Sequence, residues 1–278
     1  MTDPRVARPG TTPTLAALHV YPVKSCRGHA VEAVDLDVFG PRGDRRFLVV
    51  DERGQFLTQR TLPRLALIEP TLESTQLQLA APGIETVSIP AVPGPAAPTL
   101  EVTIWRDTVA AADLGPTAAS WLTTVLGRPA RLVAMADAYH RPIRKDTALP
   151  GDEAPFSDAF PLLVISEASL EELNGRLTEP VPMNRFRPNV VISGCDAFAE
   201  DTWKRIRIGD VVLRAAGPCG RCIVTTIDQA SLEQSKEPLR TLAQYRRSAD
   251  GAVLFGQNYI HETKSGTLRV GAVVEILE

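Results

Sequence analysis

The chain reads as a succession of short apolar runs, rich in Val, Ile and Leu, each closed off by Gly, Pro or Asp. Such runs are too short for buried helices and have the composition of strands. In the first half they fall at 15–23, 30–40, 46–60 and 65–70. The third holds the turn "DERG", which makes Phe47–Val50 and Phe56–Arg60 a predicted hairpin. "LQLAAPG" and "IETVSIP" form another predicted pair, and the proline-laden 91–99 is a surface loop. In the second half "PLLVI", "NVVISG", "RIRIGDVVLRAA", "CIVTTID", "AVLFGQNYI", "TLRV" and "AVVEIL" carry the same signature.

Helical spacing is confined to 115–127, with Trp121, Leu122, Val125 and Leu126 on one side, to 166–177 behind the N-cap Ser166, and to 238–247 behind Pro238. Strands and helices do not alternate regularly, which excludes a doubly wound parallel sheet and predicts a β-dominated α+β barrel or sandwich. Residues 139–160 show no period, and so long a loop marks a boundary. The expected organisation is an N-terminal segment, 1–13, a β-rich domain, 14–139, and a second β-barrel domain, 140–278.

A net charge of -3 and an aromatic content of 5% exclude nucleic acid as the main partner, because phosphate backbones recruit basic, aromatic surfaces. No apolar stretch approaches the ~20 residues of a membrane helix, and no secretory leader is visible. The sequence is read as cytoplasmic, with no membrane partner. Four cysteines in a reducing compartment are not a disulfide framework.

Two of them, Cys219 and Cys222, stand three positions apart in "GPCGRC". Zinc wants a second pair of ligands, which the scattered Cys26, Cys195 and four histidines do not provide. A thioredoxin-type pair opens a helix, whereas Cys222 is followed by "IVTTI", a predicted strand. Burial as small hydrophobes conflicts with the flanking Gly217, Pro218 and Gly220. Arg221 beside Cys222 favours a thiolate, and a rim thiolate is either a nucleophile or a single soft ligand to a metal carried by a cofactor. The residues leave these two level. Three basic clusters accompany the pair: Lys24, Ser25 and Arg27 in "YPVKSCRG", Arg42, Arg45 and Arg46 in "PRGDRRF", and Arg185 and Arg187 in "MNRFRPN". Fork-shaped guanidiniums suit phosphate and carboxylate, so an anionic cofactor is expected.

In this order, "YPVKSCRG", "GDRRFLVVDERGQFLTQR", "FPLLVISEASLEELN", "NRFRPNVVISG", "CGRCIVTTID" and "LFGQNYI" resemble the two-part MOSC-domain proteins, an N-terminal β-barrel domain followed by the MOSC domain, over about residues 14–277. The group includes the mitochondrial amidoxime-reducing component and its bacterial relatives. The resemblance implies a mononuclear molybdenum cofactor (Mo-molybdopterin) with Cys222 as the metal ligand and a catalytic residue. It places Lys24, Ser25, Arg46, Asp158, Ala159, Phe160, Arg187, Gly220, Arg221 and Asn258 against the pterin and its phosphate. Asp158 is the proton-donor candidate by motif position. Asn258 stands where mitochondrial members carry tyrosine, and Ala159 and Phe160 replace hydroxyl residues, so only their main chain carries over. The implied activity is molybdenum-dependent reduction of small N-hydroxylated substrates (amidoximes, hydroxylamines, N-hydroxylated bases) to amines. Its electrons would come from a separate ferredoxin-type or flavin-linked reductase. The alternatives are a cofactor or sulfur carrier without turnover, and a Cys219–Cys222 thiol oxidoreductase.

Overall fold

A computed structural model describes residues 12–278, and the greater part of the expected N-terminal segment lies outside them. The described residues fold into β-sheets with three short α-helices. The largest sheet has eight strands, ordered Val274–Ile276, Arg205–Ile208, Val211–Gly220, Leu254–His261, Leu162–Ser166, Val190–Ser193, Thr14–Val20 and His29–Val31. Its neighbours are antiparallel except Leu162–Ser166 with Val190–Ser193, the pair joined through the helix Glu167–Asn174. A parallel pair needs such a crossover, and here the helix supplies it.

A four-stranded sheet runs Phe47–Val50, Arg131–Met135, Asp107–Asp113 and Thr99–Ile104, and a meander pairs Glu69–Glu73, Gln76–Ala81 and Ile84–Pro90. The helix Pro116–Leu126 lays Trp121, Leu122, Val125 and Leu126 over Leu65, Ile68, Leu77, Leu79 and Ile89, forming the N-terminal core. Gly127 closes the helix in the left-handed conformation (φ 68°) that glycine adopts without cost. A second core, with Leu15, Val164, Ile192, Leu213 and Tyr259, fills the eight-stranded sheet.

The residues before and after 140 share one sheet. The first described strand, Thr14–Val20, pairs with Val190–Ser193 far along the chain, so the sheet that carries the second half begins in the first. Asn189, 2% exposed, fastens the same junction: its amide donates to the His19 carbonyl and to Asp44, and its carbonyl accepts from Arg45.

Three expected strands take other forms. Phe56–Arg60, the expected second arm of a hairpin, forms no strand and pairs with Phe47–Val50 only at an isolated Val50–Phe56 bridge. Pro63–Leu67 is a 3-10 turn ahead of the strand at 69–73. Ile223–Thr226 is also a 3-10 turn, in which the Thr225 and Thr226 hydroxyls donate back to the Cys222 and Ile223 carbonyls at 3.0 and 2.7 Å. β-Branched residues favour strands because they pack on a pleated surface, and local hydroxyl bonds override that preference here. The long loop 139–160 is pinned rather than loose: Tyr139 and Phe156 are buried, ring against ring at 5.2 Å, in the core of the four-stranded sheet.

Candidate functional site: a basic cleft with a rim thiol

Three backbone segments are laced together to form one wall of a cleft. Lys24 N–H donates to the Phe47 carbonyl, Arg45 N–H to the Tyr21 carbonyl, and Phe156 N–H to the Arg45 carbonyl, at 2.7–2.9 Å. Arg141, 4% exposed, locks the last segment: its guanidinium donates to the carbonyls of Pro155, Ser157 and Asp158 and to the Asp107 carboxylate. The opposite wall is the end of the strand Val211–Gly220 and the turn after it, where Arg221 N–H donates to the Val253 carbonyl at 2.7 Å.

Lys24, Ser25, Asp158, Ala159, Phe160, Arg187, Gly220, Arg221, Cys222 and Asn258 all line this cleft, together with Cys219. Arg46 does not. Its guanidinium turns away to Asp37 at 2.7 Å and lies over the Phe39 ring, and Arg45 points to the cleft instead. Adjacent residues at a strand entrance face opposite ways, and the left-handed Arg45 (φ 48°) makes the turn that decides which of the two faces inward. Arg45 is held by Asp44, 0% exposed, at 2.6 Å and by Asn189 at 3.0 Å.

The electrostatics are strongly cationic. Arg45 and Arg187 both lie over the Tyr21 ring, at 4.2 and 4.3 Å. No carboxylate pairs with Arg187 among the described residues, and burial lowers its pKa. Lys24 is 5% exposed, and burial brings its ammonium down to about 8 although Asp158 pulls the other way. The buried Ser157 hydroxyl oxygen has no hydrogen-bond partner. Cys26, on the same loop as Lys24, is sealed in the N-terminal core, where burial pushes its thiol up to about 12; it is a packing residue.

Asp158 has a different character from the proton donor expected of it. Burial opposes its charge, but the Lys24 ammonium and the Arg60 guanidinium outweigh that and hold its carboxyl well below the usual carboxylate range. It accepts from Lys24, from Arg60 at 3.2 Å and from the Trp105 indole at 3.3 Å. A carboxylate so held retains no proton near neutral pH, so Asp158 anchors the cations at the mouth.

The two cysteines are free and half-buried, on either side of Arg221. Arg221 donates to the Cys219 sulfur at 2.8 Å and to the Phe186 carbonyl. The Cys222 sulfur interacts with Arg60, whose guanidinium lies over the Trp105 ring at 4.4 Å. Arg60, Trp105 and Ser157 were not singled out from the sequence. Arg60 is detectable only as a charge ending the run "FLTQR". No group of three or more His, Cys, Asp or Glu suited to a metal ion occurs among the described residues.

Fold and site together define a β-rich protein that offers a cationic cleft lined by two free thiols. Residues 12–129 match the MOSC N-terminal beta barrel domain and residues 152–275 the MOSC domain. The chain is 38% identical to mitochondrial amidoxime-reducing component 1 of Mus musculus, over 95% of this chain and 82% of that protein. It is 37% identical to the Homo sapiens component 1, over 95% and 83%, and 36% identical to component 2 of Rattus norvegicus, over 93% and 81%. The chain belongs to the family of two-part MOSC proteins that contains the amidoxime-reducing components.

Proposed function

We propose that this protein is a molybdenum-cofactor-dependent reductase of N-hydroxylated compounds. One observation carries the reading: the Cys222 thiol shares a cleft with Lys24, Arg45 and Arg187, cations drawn from both halves of the chain. Arg187, which has no ion-paired carboxylate among the described residues, and the orphaned Ser157 oxygen are groups that an anionic, hydrogen-bonding ligand would satisfy. The residues present therefore fit the pterin cofactor. Lys24, Arg45 and Arg187 would hold its phosphate. Ser25, Ser157 and the main chain of Asp158, Ala159 and Phe160 would meet polar ring atoms. Gly220, Arg221 and Asn258 would line its other side, and Cys222 would ligate the metal through sulfur.

When bound, the cofactor supplies the two-electron chemistry of N–O cleavage. In the net reaction an amidoxime takes up two electrons and two protons and leaves as an amidine and a water. The chain's own contribution is placement. Arg141 fixes the segment that carries Asp158, Asn189 fixes Arg45, and the Arg60 guanidinium places a positive charge near the Cys222 sulfur, which would tune a metal ligand electrostatically. Electrons would come from a separate ferredoxin-type or flavin-linked protein.

The test is to purify the protein from a host that makes the cofactor, measure molybdenum and pterin, and assay benzamidoxime with a chemical reductant. Metal, pterin and turnover support the reading. Metal and pterin without turnover under several reductants make the protein a carrier. Neither, with a reversible Cys219–Cys222 disulfide, makes it a thiol oxidoreductase. A cytoplasmic location is part of the proposal, although the named relatives are mitochondrial; cell fractionation decides it. No helix among the described residues is long and apolar enough to cross a membrane.

A further inference from the structure

A tryptophan sits where a tight hairpin favours glycine. Trp105 and Arg106 join the strands Thr99–Ile104 and Asp107–Asp113, whose ends pair Ile104 with Asp107. Trp105 has φ 55°, in the region that glycine, asparagine and aspartate enter easily and bulky residues avoid. Burial does not repay that conformation, since the residue is 43% exposed.

The indole is nevertheless fixed on three sides. Phe56 meets it edge-on at 4.8 Å, the Arg60 guanidinium lies over it at 4.4 Å, and its N–H donates to Asp158 at 3.3 Å. Arg60 and Asp158 both line the cleft that holds Cys222, so the exposed ring stands at the mouth of that cleft. A backbone outlier held by its surroundings beside a reactive site is a pointer to function.

We propose that Trp105 is a specificity-determining residue: its indole stacks with the flat conjugated body of an N-hydroxylated amidine and sets its N–O end toward the thiol. An electron-rich ring suits a delocalised plane and, more strongly, the amidinium formed as product. Small aliphatic N-hydroxyl compounds offer no such plane. The inference rests on the reductase reading for the reacting group, and on the ring's placement alone for the stacking.

The experiment uses the cofactor-loaded protein, Trp105→Ala and Trp105→Phe. Steady-state kinetics compare benzamidoxime with acetamidoxime, and tryptophan emission is titrated with benzamidoxime. Trp121 and Trp203 are 8% and 7% exposed, so quenching by a stacked ligand reports Trp105. Trp105→Ala should lower the preference for benzamidoxime about tenfold, through KM, in line with stacking losses on alanine substitution. Trp105→Phe, which keeps an aromatic face, should retain most of the preference. Saturable quenching should be present in the wild type and absent from Trp105→Phe. An unchanged preference in Trp105→Ala, or saturable quenching that persists in Trp105→Phe, overturns the assignment. Quenching that vanishes with Trp105, in a protein that reduces neither compound, upholds the stacking site and refutes the reductase reading instead.

Discussion

Replacing Lys24 with methionine should stabilise the cofactor-free protein while weakening its hold on phosphate. Lys24 is 5% exposed, and burial takes its pKa from 10.5 to about 8 despite the Asp158 carboxylate. At about 1.36 kcal/mol per pH unit, the folded protein bears a cost of about 3 kcal/mol for keeping this lysine charged. The sign follows from proton counting. Between the folded and unfolded pKa values the unfolded chain binds the extra proton, so stability rises with pH from about 8 to 10.5; the cost is fully present below that window. Lys24→Met removes it, and Asp158 keeps the Arg60 guanidinium and the Trp105 indole as hydrogen-bond partners. Urea denaturation at pH 7 should therefore show the cofactor-free variant more stable by up to about 3 kcal/mol, with the advantage shrinking by pH 10. Anion affinity should run the opposite way. Wild-type binding of inorganic phosphate should fall about tenfold between pH 7 and 9 as Lys24 loses its proton, and the variant should bind weakly at both. A variant less stable than wild type by a constant amount across this range would refute the reasoning, because Lys24 would then be a net stabilising ion pair.

Two further perturbations probe the walls of the cleft. Arg45→Met should lower pterin retained after purification several-fold while Arg46→Met leaves it near wild type; fluorescence of the oxidised pterin reads both, and equal losses would return Arg46 to the site. Asp44→Asn leaves the Arg45 guanidinium without its buried partner and should cost about 3–5 kcal/mol in urea denaturation; a cost below about 1 kcal/mol would mean that water already screens the pair.

The β-rich class was legible because strand composition and turn residues recur along the chain. The helix at Pro116–Leu126 was equally plain from its apolar face and Gly127. Local hydroxyl bonding at Thr225 and Thr226 was not, since sequence reports β-branching and not where an Oγ will donate. At the site, the thiol and the lysine announced themselves by composition. Arg45 against Arg46 depended on one backbone turn at a strand entrance, which residue types do not encode. Arg60 and Trp105 reach the cleft only because the four-stranded sheet delivers the tip of one of its hairpins and the Phe56–Arg60 segment to Asp158, a contact between residues 98 and 53 positions apart. The first strand's pairing with Val190–Ser193 escaped for the same reason: a run long enough to be a strand does not name its neighbour.

The sulfur of Cys222 is the centre of the account, and X-ray absorption at the molybdenum edge counts the sulfurs bound to the metal. The wild type and Cys222→Ser should both retain pterin, with the variant's molybdenum showing one sulfur fewer and benzamidoxime reduction lost. An identical sulfur count in the two proteins, or full turnover by Cys222→Ser, would contradict it.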